Sequence, residues 1–150
     1  MVLFRRGTVL LLHRHKDGEE EDWVLPGGQP EAGEGTAACA RREVHEETGL
    51  RVDVGRVAFV LETIDPEREH RVIEIVFLAS RGNRVSGEPI EREPGLTPVF
   101  VPVDDLPGLN LRPPLGGYLR GIHGARLRST AAYLGNLWRA SWLETSDVGR

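Results

Sequence analysis

Apolar residues fall into short, strand-sized runs, alternate with polar ones over Arg51 to Thr63, and shift to helical spacing in a few stretches. Val2-Leu3-Phe4 and Thr8 to Leu12 flank Arg5-Arg6-Gly7. That pattern predicts two strands joined by a tight turn in which Gly7 supplies a positive φ. The first strand begins at Met1, which leaves open whether a few residues precede it. Lys16 to Asp22 is polar and acidic and reads as a solvated loop. Trp23-Val24-Leu25 is a short strand ended by Pro26-Gly27-Gly28, and Gln29 to Gly35 is a loop. Thr36 is expected to N-cap a helix from Ala37 to about Thr48, with Gly49 as its left-handed C′ residue. Ala37, Ala40 and Val44 form an apolar stripe along that helix.

Arg51 to Thr63 alternates as one or two strands, and Ile64 to His70 is a polar turn around Asp65-Pro66. Arg71 to Ser80 reads as a strong buried strand, followed by a long, charged loop from Arg81 to Leu96. Thr97 to Val103 is a further strand, and Asp104 to Pro107 a turn or short helical start. A helix is expected within Leu111 to His123, starting after Pro113-Pro114. In Leu127 to Leu143, Ala131, Leu134, Leu137, Trp138 and Trp142 recur at helical spacing, predicting a C-terminal helical extension over about 124–143. No internal repeat, low-complexity tract or domain boundary stands out, so residues 1–150 read as one domain.

Composition adds exclusions. At 150 residues, about 70% of the unfolded surface can be buried, enough for a core without disulfide staples. The net charge of -4, from 19 basic and 23 acidic residues, offers no footprint for duplex nucleic acid. A single cysteine, Cys39, excludes an internal disulfide framework and fits a reducing, cytoplasmic setting. The longest apolar runs are strand-sized, so no membrane partner is expected.

The candidate chemistry sits in Gly28 to Leu50. Glu43 and Glu47 are four residues apart and Glu43 and Glu46 three, so the three carboxylates leave one side of the last helical turns. At ~5 Å and an effective dielectric of ~20, each such pair repels by about 3 kcal/mol. A hard divalent cation converts that repulsion into attraction, and the negative end of the helix dipole adds to the pull. Gly27 and Gly28 allow backbone atoms to approach a metal or phosphate closely. Arg42 is placed to pair with a loop acid such as Glu34.

These residues follow the pattern Gly, five residues, Glu, seven residues, Arg-Glu-aliphatic-any-Glu-Glu-any-Gly-aliphatic, as Gly28, Glu34, Arg42, Glu43, Val44, Glu46, Glu47, Gly49 and Leu50. In this the chain resembles the Nudix hydrolase family at its defining box, without departure; a chance match is on the order of 10⁻⁶ over the chain. With the preceding Trp23 to Gly28 segment and the strand order, the resemblance spans about residues 1 to 110. It implies an α/β/α sandwich with a mixed, curved sheet. It also implies metal-dependent hydrolysis of a nucleoside diphosphate linked to another group, an ADP-ribose-like compound or a nucleoside triphosphate. On this reading Glu43 and Glu47 ligate Mg²⁺, or Mn²⁺ in its place, Glu46 is a ligand or water holder, and the Gly28 carbonyl is a further ligand. Arg42 and Glu34 become structural partners. A non-catalytic nucleotide-sensing module on the same fold is the alternative, and the intact Glu43, Glu46 and Glu47 set favours the enzyme.

Outside the box, Arg14 is a candidate phosphate contact, since relatives often carry a basic residue there; His13 and His15 are weaker ones. His45 occupies the variable position of the box and reads as a surface residue, and Cys39 as a packed thiol. Pro66 lies near a position where ADP-ribose-cleaving relatives often carry a proline, although a proline in a turn is also plain turn chemistry. A general base beyond the metal ligands is expected from the Arg81 to Leu96 loop, with Glu91 first, Glu93 second and Glu46 in the box as the fallback. The same loop is expected to close over substrate. Trp138 and Trp142 suggest core or subunit contacts, and a homodimer is expected.

Overall fold

The computed structural model describes residues 1–15, 18, 20–65, 69–80, 85, 87–125 and 131–137. The opening hairpin pairs β1 (Phe4–Arg5) with β2 (Thr8–Arg14), Arg5 opposite Thr8. Arg6 and Gly7 both have positive φ, 48° and 79°, as a two-residue turn matched to strand twist requires. β2 also pairs antiparallel with β3 (Asp22–Val24) at its far end and with β6 (Leu96–Pro102) along its whole length. A second sheet has the order β5-β4-β7, from β4 (Val54–Asp65), β5 (His70–Ala79) and β7 (Ala132–Asn136). Val2 stitches the two sheets together: its N–H donates to the Phe77 carbonyl at 2.8 Å and its carbonyl accepts from Ala79 N–H at 2.9 Å.

β2 is central, and Leu10, Leu11 and Leu12 are fully buried because both its faces are covered. Val9 and Leu11 join the cluster containing Leu106, Leu115, Leu119 and Ile122. Leu10 joins the one containing Val44, Leu50 and Val52. Val44 belongs to α1 (Thr36–Thr48), and Leu119 and Ile122 to α2 (Gly116–Gly124), so the helices lie on opposite sides of the strand layer. This is the expected mixed α/β sandwich. A 3₁₀ turn over Val103–Gly108 leads into the α2 segment.

Local expectations are met with some corrections. α1 starts one residue early, with Gly35 as N-cap and no side-chain cap. Gly49 ends it in the left-handed conformation at φ 74°, its N–H donating to the His45 carbonyl. Ala37 is exposed; the inward face is instead Cys39, Ala40, Val44, Glu47 and Thr48. Arg51 to Thr63 resolves into the single strand β4, with bulges near Val54 to Phe59. β5 is buried only over Val76 to Leu78, while Ile73 is 62% and Ile75 42% exposed. The C-terminal stretch departs most. Residues 132–136 are not helical but form β7, parallel to β4 with Phe59 opposite Ala132 and Val60 opposite Tyr133. Leu137 N–H donates to the Glu62 carbonyl, so long-range pairing overrides the helical spacing. Pro66, Leu127, Trp138, Trp142 and Leu143 lie outside the described residues. Among the described residues, no helix is long and apolar enough to cross a membrane.

Candidate active site

The three carboxylates of α1 fan from interior to solvent. Glu47 is buried, Glu43 half-buried and Glu46 exposed. Glu47 Oε2 accepts the Gly27 N–H at 3.0 Å. Burial pushes the Glu47 carboxyl up to about 7; the Gly27 hydrogen bond opposes this, and the Glu43 and Glu93 charges add to it. Glu43 lies against Gly28 so closely that a Cβ there would sit 2.4 Å from its Oε1. Only glycine permits that approach.

Arg42 ties the loop to the helix. Its Nε and one terminal nitrogen donate to both oxygens of Glu34, each at 2.9 Å, and that nitrogen also reaches the Gln29 carbonyl. The other terminal nitrogen donates to Glu43 at 2.8 Å and Glu46 at 2.9 Å. The Arg42 bonds hold the Glu34 carboxyl down at about 2. Arg42 and Glu34 are thus joined between helix and loop, and Glu34 Oε2 also accepts the Glu31 N–H. Among the described residues no three ligating side chains converge on one point, because Arg42 spans Glu43 and Glu46 while Gly27 holds Glu47. The donor set still suits a hard cation: hard oxygens beside a glycine cradle that a side chain would fill. Cys39 is buried, its Sγ 3.6 Å from the Gly28 carbonyl oxygen, as a packed thiol.

Beside Gly27 and Gly28 opens a cleft of about 740 Å³. Leu25, Pro26, Val72, Val76 and Leu115 give it apolar walls, and Arg14, Arg112 and Glu74 bring charge to it. Arg14 donates through two nitrogens to both oxygens of buried Asp22, at 2.6 and 2.5 Å. Arg112 Nε stands 3.2 Å from Asp22 Oδ2. Asp22, Arg112 and Glu74 escaped the sequence reading. Arg112 lies 90 positions from Asp22, and no local pattern could join them. Glu74 did carry a signal, a carboxyl between Ile73 and Ile75 in an apolar run.

The loop candidates for a base separate. Glu91 is exposed and accepts from Thr97 Oγ1 at 2.8 Å and Gly95 N–H at 3.3 Å, bonds that hold its carboxyl below the usual range. Glu93 lies within electrostatic reach of Glu47. The described part of the loop is anchored: Ile90 N–H donates to the Thr48 carbonyl at 3.0 Å, Arg92 to the His45 carbonyl, and Arg5 to Gly87 and Glu88. His13 stacks on Trp23 at 4.4 Å and meets Glu21, and His15 contacts Thr97, so neither reaches the box.

Comparison with known proteins agrees with this geometry. The chain is 32% identical over 77 residues to the ADP-ribose pyrophosphatase of Methanocaldococcus jannaschii, covering 51% of this chain and 46% of that protein. It is 39% identical over 51 residues to diphosphoinositol polyphosphate phosphohydrolase 2 of Rattus norvegicus, covering 34% of this chain and 27% of that protein. The chain spans less than half the length of these curated relatives. The crystal structure of the mutator MutT protein from Bacillus halodurans superimposes with a TM-score of 0.65 at 25% identity, covering 88% of this chain and 82% of that one. The NUDIX domain model matches residues 1–120. With that match over most of its length, and the complete box built into one helix and its preceding loop, the chain belongs to the Nudix hydrolase family.

Proposed function

We propose that the protein is a metal-dependent pyrophosphohydrolase that cleaves a nucleoside diphosphate linked to another group, of the ADP-ribose or nucleoside triphosphate type. The observation that carries this reading is the position of Glu47 and Glu43: they adjoin Gly27 and Gly28, which also line the cleft. A diphosphate held at the carboxylates has its organic group in that cleft. Glu43, Glu46, Glu47 and the Gly28 carbonyl would hold a divalent cation, which when bound neutralises the diphosphate and activates water. The chain's own residues do the rest. Arg42 clamps Glu34 and so fixes the loop against the helix. Arg14 and Arg112, aligned by Asp22, present guanidinium groups to the cleft. Glu93, whose charge is felt at Glu47, takes the proton from the attacking water in preference to Glu91, whose oxygens are engaged in its own loop.

The test is product release from a panel of nucleoside triphosphates and ADP-ribose, with Mg²⁺, with Mn²⁺ and after chelation. Turnover that requires the cation and falls at least ~100-fold in Glu47→Gln supports the reading. Full activity after chelation rejects the metal dependence, and binding without turnover across the panel rejects the enzyme in favour of a sensing module.

A further inference from the structure

Glu74 breaks the pattern of its own strand. Opposite Leu61 on β4, it shares the inward face of the sheet with Val72 and Val76, while Ile73 and Ile75 face outward and are exposed. A carboxyl facing inward between two valines, with isoleucines facing solvent, does not serve stability. Departures of this kind mark function. Glu74 is the one acidic residue lining the cleft among the described residues. Its one hydrogen-bond partner among them is Thr63, whose Oγ1 stands 3.5 Å from Oε1, at the outer limit of a bond. Burial pushes the carboxyl up, opposed by Thr63 and by the charge of the Met1 amino group.

The group that fits is narrowly defined. It must be flat and apolar-faced to lie between Leu25, Pro26, Val72 and Leu115, and it must bring N–H donors to the carboxyl. Arg14 and Arg112 can take phosphate elsewhere in the cleft, but a phosphate set against Glu74 would be repelled, and a polyol there would waste the apolar walls. We propose that Glu74 is a specificity residue that reads the exocyclic amino group of a nucleobase, selecting amino-bearing bases over their deaminated counterparts. This rests on the pyrophosphohydrolase reading and deepens it. A base with a carbonyl in place of the amino group sets oxygen against oxygen and leaves the half-buried carboxyl unpaired.

The experiment is titration calorimetry of the whole chain in EDTA, comparing ADP and GDP with IDP, and CDP with UDP. IDP is the deaminated counterpart of ADP and lacks the amino group of GDP. At least one amino-bearing diphosphate should bind about 10-fold or more tightly than its counterpart. In Glu74→Gln that ratio should fall to within about 2-fold, since the amide can turn either a donor or an acceptor toward the base. Thr63→Val is the companion variant should Glu74→Gln fold poorly, and it should lower the same ratio. Ratios near one for every pair in the wild-type chain, absence of nucleotide binding, or an unchanged ratio in folded Glu74→Gln each overturn the proposal. Hydrolysis without base preference would reject Glu74 while leaving the pyrophosphohydrolase reading intact. Selective binding without hydrolysis under Mg²⁺ would do the reverse.

Discussion

Replacing Glu47 with Gln should stabilise the metal-free protein at alkaline pH while abolishing its chemistry. The buried carboxyl is raised from the ordinary 4.5 to about 7, chiefly by desolvation. Between those values the unfolded chain has lost this proton and the folded chain retains it, so stability falls as pH rises. The penalty is absent below about 4.5 and complete above about 7. At about 1.4 kcal/mol per pH unit, it reaches about 3 kcal/mol. Gln keeps an oxygen for the Gly27 N–H and carries no charge to desolvate. Urea denaturation in EDTA at pH 4 and pH 8.5 measures the effect. The difference between Glu47→Gln and wild type should shift by about 3 kcal/mol in favour of the variant from the lower to the higher pH. Mg²⁺ should then stabilise the wild type more than the variant, because only the wild type gains a ligand charge. A variant equally destabilised at both pH values would refute the reasoning, since it would show that Glu47 holds the fold together through contacts and not against a charging penalty.

Gly28→Ala should place a methyl where Glu43 now lies and displace that carboxylate; turnover should fall at least ~10-fold while circular dichroism is unchanged. Leu119→Ala, at a fully buried position between α2 and the sheets, should cost about 2–5 kcal/mol in chemical denaturation and leave the metal dependence as it was. Glu93→Gln should lose rate and flatten the acidic limb of the pH–rate profile, whereas Glu91→Gln should loosen the loop at Thr97 and leave the profile's shape alone. The reverse ranking in that profile would return the base to Glu91.

The site was legible in the sequence to the extent that it is local. Glu43, Glu46 and Glu47 share a helix with Arg42, and Glu34 lies eight residues before it, so spacing alone puts them together. The Arg6-Gly7 turn and the Gly49 helix stop were equally local, because each depends on one or two dihedral angles. Helix spacing did not reveal how deeply each acid sits. Glu47 is buried and Glu46 exposed because α1 lies on the sheet over Cys39, Ala40 and Val44, a face one notch away from the one that Ala37 suggested. Contacts bridging distant segments were illegible, as with Arg112 against Asp22. β7 failed for a related reason: Leu134 and Leu137 fit a helical period, but pairing with β4 satisfies their backbone across about 70 residues of chain. The inward turn of Glu74 is likewise set by the β4–β5 register and not by its neighbours in sequence.

Leu10 and Leu11 are adjacent in sequence and alike in chemistry, and both are fully buried, yet they serve different masters. The side chain of Leu10 reaches the cluster that seats α1 and its carboxylates; that of Leu11 reaches the cluster seating α2. The strand therefore acts as a partition between a chamber that tolerates only changes compatible with carboxylate placement and one that seats α2 and backs the apolar wall of the cleft through Val76 and Leu115. A methylene removed by Leu11→Val should register as a lower melting temperature with cation affinity preserved. The same removal at Leu10 should register in cation affinity as well, so one peptide bond separates two independent selective pressures on a single strand.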